Sequence, residues 1–176
     1  LSANVSYNKN KLLELYNGVE EYVNSTTGLK YVVGHSVREY FMNRYAGVNP
    51  ANGDALWYTA DGELTTEFRE EDKVMTGKSF DSPWVGGFGT SLMWKGLSLS
   101  AQFSWMAKRY VMNNDRFFEE SNGLYSAYNQ SKRLLYDRWK KPGDITDIPR
   151  YGVTAQLDDR FLENSSFLRL KNLTLA

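Results

Sequence analysis

The sequence has no cysteine and a single histidine, His35. The first absence excludes thiol catalysis, disulfide frameworks and thiolate metal sites. The second excludes zinc or iron centres built from several imidazoles. Net charge is absent too: 21 basic side chains balance 21 acidic ones. They are scattered, without the basic stripe that marks a nucleic-acid surface, so no nucleic acid is expected as a partner. No apolar run approaches the roughly 18 residues of a transmembrane helix. Transmembrane strands escape that test, because only alternate residues face lipid.

Aromatic residues are what the chain has in excess. Twelve Tyr, nine Phe and five Trp make up 15% of it, a level that suits all-β proteins, sugar-binding surfaces and the aromatic girdles of membrane barrels. The first eight residues already alternate, with Ala3, Val5 and Tyr7 on one side and Ser2, Asn4 and Ser6 on the other, which predicts a strand. The chain opens mid-pattern, with neither a start methionine nor a signal peptide, as expected of a piece of a longer protein.

The strongest pattern spans residues 86 to 107. Phe88, Thr90, Leu92 and Trp94 alternate with Gly and Ser, and after Lys95-Gly96 the residues Leu97, Leu99, Ala101, Phe103 and Trp105 alternate with Ser98, Ser100, Gln102 and Ser104. A hairpin with Lys95-Gly96 as its two-residue turn sets Leu92 opposite Leu99 and Phe88 opposite Phe103. Only that register puts both apolar sets on one face. The segment from Ser166 to Ala176 is strand-like but changes parity between Leu170 and Leu173, so a bulge at Lys171-Asn172 is expected, with Arg169 and Lys171 on the polar side.

Between these strands lie two long polar stretches, 17–82 and 111–163, rich in turn signals such as Asn49 to Asp54. In the first, Tyr31-Val32-Val33 and Ala55-Leu56-Trp57-Tyr58 read as the short strands of a small hairpin. In the second, Ser131 to Trp139 reads as a helix ended by Lys141-Pro142-Gly143. Loops of this length are rare in a compact domain, but alternation of tight turns with long loops is the plan of an outer-membrane barrel. The fold class expected is therefore all-β: antiparallel up-and-down strands forming part of a large outer-membrane β-barrel, with long loops and a short loop helix.

No catalytic constellation emerges. Thr76-Gly77-Lys78-Ser79 ends like a phosphate-binding loop but has Asp72 where that motif needs glycine. Glu20-Glu21, Glu70-Glu71-Asp72, Glu119-Glu120 and Asp158-Asp159 are adjacent acids of the kind usually left solvated in loops, and Asn49 to Asp54 lacks the acidic spacing of a calcium loop. No catalytic residue, metal or cofactor is expected. The candidates for ligand or partner contact are the loop aromatics Trp57, Tyr58, Phe117 and Trp139, together with Arg138 through its fork of donors.

Several segments in order carry a resemblance. Gly34-His35-Ser36, Tyr45 to Pro50 with Gly53-Asp54, Ser82-Pro83-Trp84-Val85-Gly86-Gly87-Phe88-Gly89-Thr90, Asn129 with Asp137-Arg138-Trp139, Thr146-Asp147-Ile148-Pro149-Arg150 and Ser166 to Leu175 together resemble the C-terminal barrel region of SusC/RagA-type TonB-linked outer-membrane proteins. That resemblance implies a non-enzymatic import channel in the cell outer membrane, in contact with its lipid, for glycan or peptide oligomers. It implies a SusD-like surface lipoprotein as lid, and coupling to TonB through a region upstream of Leu1. Residues 1–176 are then one partial barrel domain, with 17–82 and 111–163 extracellular. The competing expectation is a soluble, aromatic-rich β-sandwich that binds carbohydrate, which requires a second sheet over the apolar face of residues 88 to 105.

Overall fold

Lys95 and Gly96 both have positive φ, 48° and 86°, the left-handed pair that a two-residue type I′ turn demands. Glycine adopts it without strain, while Lys95 sets its ammonium 4.8 Å from the centre of the Trp94 ring. The computed structural model describes residues 1–24 and 29–176; residues 25–28, within the first long loop, lie outside the described residues.

In chain order the strands are β1 (Ser2–Tyr7), β2 (Glu21–Val23), β3 (Lys30–Val32), β4 (Glu39–Met42), β5 (Arg44–Val48), β6 (Ala55–Tyr58), β7 (Leu64–Thr65) and β8 (Val74–Ser79). After them come β9 (Trp84–Trp94), β10 (Leu97–Ala107), β11 (Tyr110–Met112), the helices α1 (Asn114–Glu119) and α2 (Arg133–Tyr136), then β12 (Leu162–Asn164) and β13 (Phe167–Leu175). Among the described residues the architecture is all-β and antiparallel, with two α-helices of one turn or little more, as befits part of an outer-membrane barrel. The principal sheet has the order β1-β9-β10-β13.

Its register is the one the apolar alternation requires: Leu97 pairs with Trp94, Leu99 with Leu92 and Phe103 with Phe88. Pairing continues to Ala107 opposite Trp84, so β9 begins two residues earlier than the glycine-rich pattern suggests. On the far side Gln102 pairs with Asn172 but Phe103 with Leu170, leaving Lys171 as the extra residue of a bulge. The bulge restores parity. Leu168 and Leu170 before it, and Leu173 and Leu175 after it, share the face of Trp105, Phe103, Ala101 and Leu99. Arg169 lies opposite Ser104 on the other face, among Ser98, Ser100, Gln102, Asn172 and Thr174.

The apolar face is not covered. Leu173 is 60% and Leu175 67% exposed, and Val5, Leu92 and Leu168 are similarly open. A soluble sandwich would bury such side chains under a second sheet; these remain bare. Two aromatic pairs stiffen the face: Phe88 stacks on Phe103 at 4.8 Å and Tyr7 leans on Trp84 at 4.5 Å.

The chain divides into two units. The first, Leu1–Tyr40, Gly77–Val111 and Asn164–Ala176, holds the principal sheet and the small β2–β3 pair, where Tyr22 stacks on Tyr31 and Lys30 meets Glu21 at 2.8 Å. The second, Phe41–Thr76 and Met112–Glu163, is built on the sheet β5-β6-β7 and an aromatic core of Phe117 and Phe161 with Phe118 and Tyr125. The two segments expected to form one small hairpin therefore belong to different ones: β3 pairs with β2, and β6 with β5 and β7. Two further short pairs, β4 with β8 and β11 with β12, complete the topology.

The loop helix is shorter than the sequence suggests. α2 stops at Tyr136, because the Trp139 amide donates to the Ile148 carbonyl (3.0 Å) instead of continuing the helical ladder. Arg138 forms a parallel bridge with Ile148. Strand-like capture of the backbone here overrides a local helical preference.

Candidate functional site

All five candidate contact residues fall in the second unit, and its geometry separates them. Asn49 to Asp54 folds into a tight turn in which Asn49 Oδ1 accepts from the Ala51 amide and Asn52 Oδ1 from the Asp54 amide, the local bonding for which Asn and Asp are favoured in turns. The turn is then clamped. Trp139 Nε1 donates to the Pro50 carbonyl at 3.2 Å and the Gly143 amide to the same oxygen at 2.9 Å. Arg150 donates its amide to the Gly53 carbonyl at 2.8 Å and its Nε to Asp54 Oδ1 at 2.9 Å.

Arg138 lies beside this clamp. Its Nη1 reaches Asn122 Oδ1 at 3.4 Å, and its guanidinium sits 5.2 Å from the centre of the Tyr151 ring. Asn122 is itself buried, donating to the carbonyls of Arg150 and Val153 at 2.7 Å each. Arg138 and Trp139 are thus half-buried parts of a locked loop. Trp57 is deeper still, 5% exposed, with its indole N–H bonded to Asp158 Oδ2 at 2.9 Å and its ring edge-on to Tyr45 and Phe68. Phe117 is 9% exposed, at the centre of the aromatic core. Of the five, Tyr58 alone presents substantial ring surface, 37% exposed, with Arg44 above it at 5.4 Å.

The charged groups that organise this unit lie outside the five candidates. Asp147 accepts both Arg133 Nη2 contacts, at 2.7 and 2.8 Å, and lies 3.3 Å from Arg116. Glu120, 3% exposed, bridges the same two arginines at 2.6 and 3.1 Å. Arg160 stacks 4.5 Å from the Tyr45 ring and donates to the Asp147 carbonyl, which also accepts the Tyr45 hydroxyl.

The adjacent acids expected to be solvated are therefore partly structural. Asp158 is fully buried, Asp159 Oδ1 accepts the Tyr45 amide and Asp72 Oδ1 the Ala60 amide. Only position and partners distinguish Glu120 from Glu119, and no local signal in the sequence does so.

Burial pushes the Asp158 carboxyl up to about 6, against the pull of Arg160 and the Trp57 hydrogen bond. Burial opposes ionisation of Asp147 as well, but there the hydrogen bonds and charge of Arg133 prevail and hold the carboxyl below its ordinary range. Burial likewise raises the Tyr45 phenol, so it stays protonated and donating.

Elsewhere, Thr76 to Ser79 lies within β8, not in a loop that opens a helix, so it makes no phosphate cradle. His35 Nδ1 lies 3.0 Å from Glu39 Oε2. Among the described residues no group of three or more His, Cys, Asp or Glu side chains is placed to hold a metal.

No family model and no curated relative matches the chain. Solved structures do. The chain superposes on the RagAB peptide transporter with a TM-score of 0.86 and 36% identity over 98% of its length. The RagAB peptide importer in its "open-open" and "closed-closed" states gives TM-scores of 0.86 and 0.85 at the same identity and coverage. The chain spans about a fifth of the matched chains, 19 to 20%.

Proposed function

We propose that the chain is a segment of a SusC/RagA-type outer-membrane transporter that imports nutrient oligomers. The observation that carries this reading is the bare apolar face of the principal sheet. It runs through four strands, is kept in phase by the Lys171 bulge, and is backed by a face mainly of serine, asparagine, glycine and glutamine with Arg169 and Thr174, where the apolar Met93 lies near the tight turn and Val85, Met106 and Phe167 lie at the other end. Facing lipid outward and a wet lumen inward, such a sheet is stable as an arc of a barrel wall. Strands of 11 residues, tilted as barrel strands are, span an apolar band about 25 Å tall. The likeness to RagAB extends over nearly the whole chain and supports the same reading.

Peptides are the favoured cargo, since peptide transport is what those neighbours do; glycan oligomers are the alternative. A SusD-like surface lipoprotein caps the channel, and TonB acts through a region outside this segment. Residues 17–82 and 111–163 lie on the extracellular side. There Arg138 and Trp139 hold the loop's form, Trp57 and Phe117 support it from within, and Tyr58 is the candidate for direct contact. The role is transport, without chemistry on the cargo.

The test is deletion and complementation of the full-length gene, followed by uptake of labelled oligopeptides and of labelled oligosaccharides. The restored protein should fractionate with the outer membrane, migrate as a heat-modifiable barrel and restore uptake of the peptides. Fractionation as a soluble protein, or peptide and sugar uptake both indifferent to the deletion, would refute the reading.

A further inference from the structure

In the first unit a cleft of about 500 Å³ opens at the ends of β1 and β10 remote from the Lys95-Gly96 turn. Its lining mixes charges, but they are not equally free. Glu39 is held by His35 at 3.0 Å and by the Gly77 amide at 2.7 Å, and Asp81 by Arg38 at 3.0 Å. Lys9 and Lys108 line the same cleft, are exposed, and make no ion pair among the described residues. Once the internal pairs are counted, the cleft offers two uncommitted ammonium groups, with the phenols of Tyr7 and Tyr110 as neutral donors in the same lining.

Position identifies the anion. Tyr7 belongs to the apolar face, where it packs against Trp84 at 4.5 Å, and an aromatic pair at the end of barrel strands marks the membrane–water boundary. The cleft thus adjoins the apolar face just where a lipid changes from acyl chain to headgroup. A lipid with chains along Val5 and Phe88 would carry its headgroup to Lys9 and Lys108, and phosphate is the outer-leaflet group that point-charge ammonium ions bind best.

We propose that this cleft binds the phosphate-bearing headgroup of an outer-leaflet lipid. Free phosphate shares the chemistry but not the adjoining apolar surface. The inference rests on the outer-membrane reading given above.

The test uses the full-length protein, delipidated in detergent, with diphosphorylated lipid A as probe and native mass spectrometry as the readout. The double variant Lys9→Ala, Lys108→Ala should bind the probe about 30-fold more weakly, from the usual contribution of two lysines near a charged membrane surface. Lys9→Arg with Lys108→Arg should retain binding, and dephosphorylated lipid A should bind the unaltered protein no better than it binds the alanine variant. Equal binding by the alanine variant, or no preference for the phosphorylated lipid, would overturn the proposal. Displacement of the probe by millimolar inorganic phosphate would overturn the assignment to lipid. Heat-modifiable migration of every variant separates the two readings. A barrel whose lipid binding ignores these lysines defeats this inference alone, and a protein that forms no barrel defeats both.

Discussion

Trp139 lies across Gly53 so closely that a Cβ added at Gly53 would stand 2.4 Å from Trp139 Cε3 and 2.8 Å from Arg150 Cβ. Gly53 also has φ of +80°, where a side chain is strained in any surroundings. The contact joins two segments that are distant in sequence. Gly53→Ala should therefore destabilise the second unit by about 2–3 kcal/mol, read as faster hydrogen exchange of the amides around 50–54 and 139–150 in the full-length protein. Unchanged protection would show that Trp139 does not pin the turn.

The two units differ in how much of them the sequence conveys. Strict alternation around Lys95-Gly96 left one register for β9 and β10, because a slip of one residue turns Leu92 and Leu99 to the wrong face. The parity switch between Leu170 and Leu173 likewise announced the bulge. In the second unit the short strand Ala55–Tyr58 is legible, but much of what joins its segments is long-range bonding such as Trp57 to Asp158 and Arg150 to Asp54, which leaves no period in the sequence. Its aromatics stand out as candidates, but whether a ring is surface or core depends on partners remote in sequence, Asp158 for Trp57 and Phe161 for Phe117. The segments that carried the family resemblance, Asp137 to Trp139 and Thr146 to Arg150, contain several of the residues that lock this unit.

Two of the acids in the arginine network, Glu120 and Asp147, carry unequal weight. Glu120 is buried between Arg116 and Arg133, whereas the Asp147 side chain is 45% exposed. Glu120→Gln should cost about 3–5 kcal/mol, because it leaves two guanidiniums short of a buried countercharge. Asp147→Asn should cost about 1 kcal/mol, since water screens what remains. Denaturant unfolding of the two variants checks the order, and equal losses would contradict the burial argument.

Asp158 gives the second unit an acid-side pH dependence of definite sign. Its carboxyl titrates at about 6 in the fold and at about 4 in the unfolded chain, so the fold favours the protonated form. The stability this group contributes is complete below the unfolded value, is lost as pH rises from about 4 to about 6, and amounts to about 3 kcal/mol. Asp147, held low, acts in the opposite sense and loses its contribution as pH falls through its depressed value. Asp158→Asn should abolish the decline between about pH 4 and pH 6. Hydrogen exchange around Trp57, corrected for intrinsic rates, measures it; a variant with the same slope as the parent would remove Asp158 as the cause.

The bulge makes neighbouring positions in β13 opposite in their tolerance of charge. Leu173 shares the apolar face with Ala101, and Thr174 the polar face with Ser100. Arginine at Leu173 should cost about 2–4 kcal/mol if that face meets lipid at mid-bilayer, while arginine at Thr174 should be nearly neutral. Deleting Lys171 should also be tolerated, because Leu168, Leu170, Leu173 and Leu175 then alternate without interruption and every pair with β10 is kept. Folding yields of the three variants in detergent micelles test the ranking, and an arginine at Thr174 as damaging as one at Leu173 would deny the two faces their different surroundings.

The proposed barrel makes a prediction about orientation. A barrel places short turns on the periplasmic side and long loops outside, so Lys95 and Ile145 should lie on opposite sides of the membrane. The segment has no cysteine, so single cysteines introduced into it report on their own positions once any cysteine elsewhere in the full-length protein is replaced, and Ile145 is 97% exposed, so a label meets little obstruction from this chain. In intact cells Ile145→Cys should react with a membrane-impermeant maleimide, and Lys95→Cys should react only after the outer membrane is opened. If the proposed lid lipoprotein covers Ile145, deleting the gene for that lipoprotein should raise labelling there and leave Lys95→Cys unreactive. Labelling of Lys95→Cys in intact cells would invert the topology and place residues 111–163 in the periplasm.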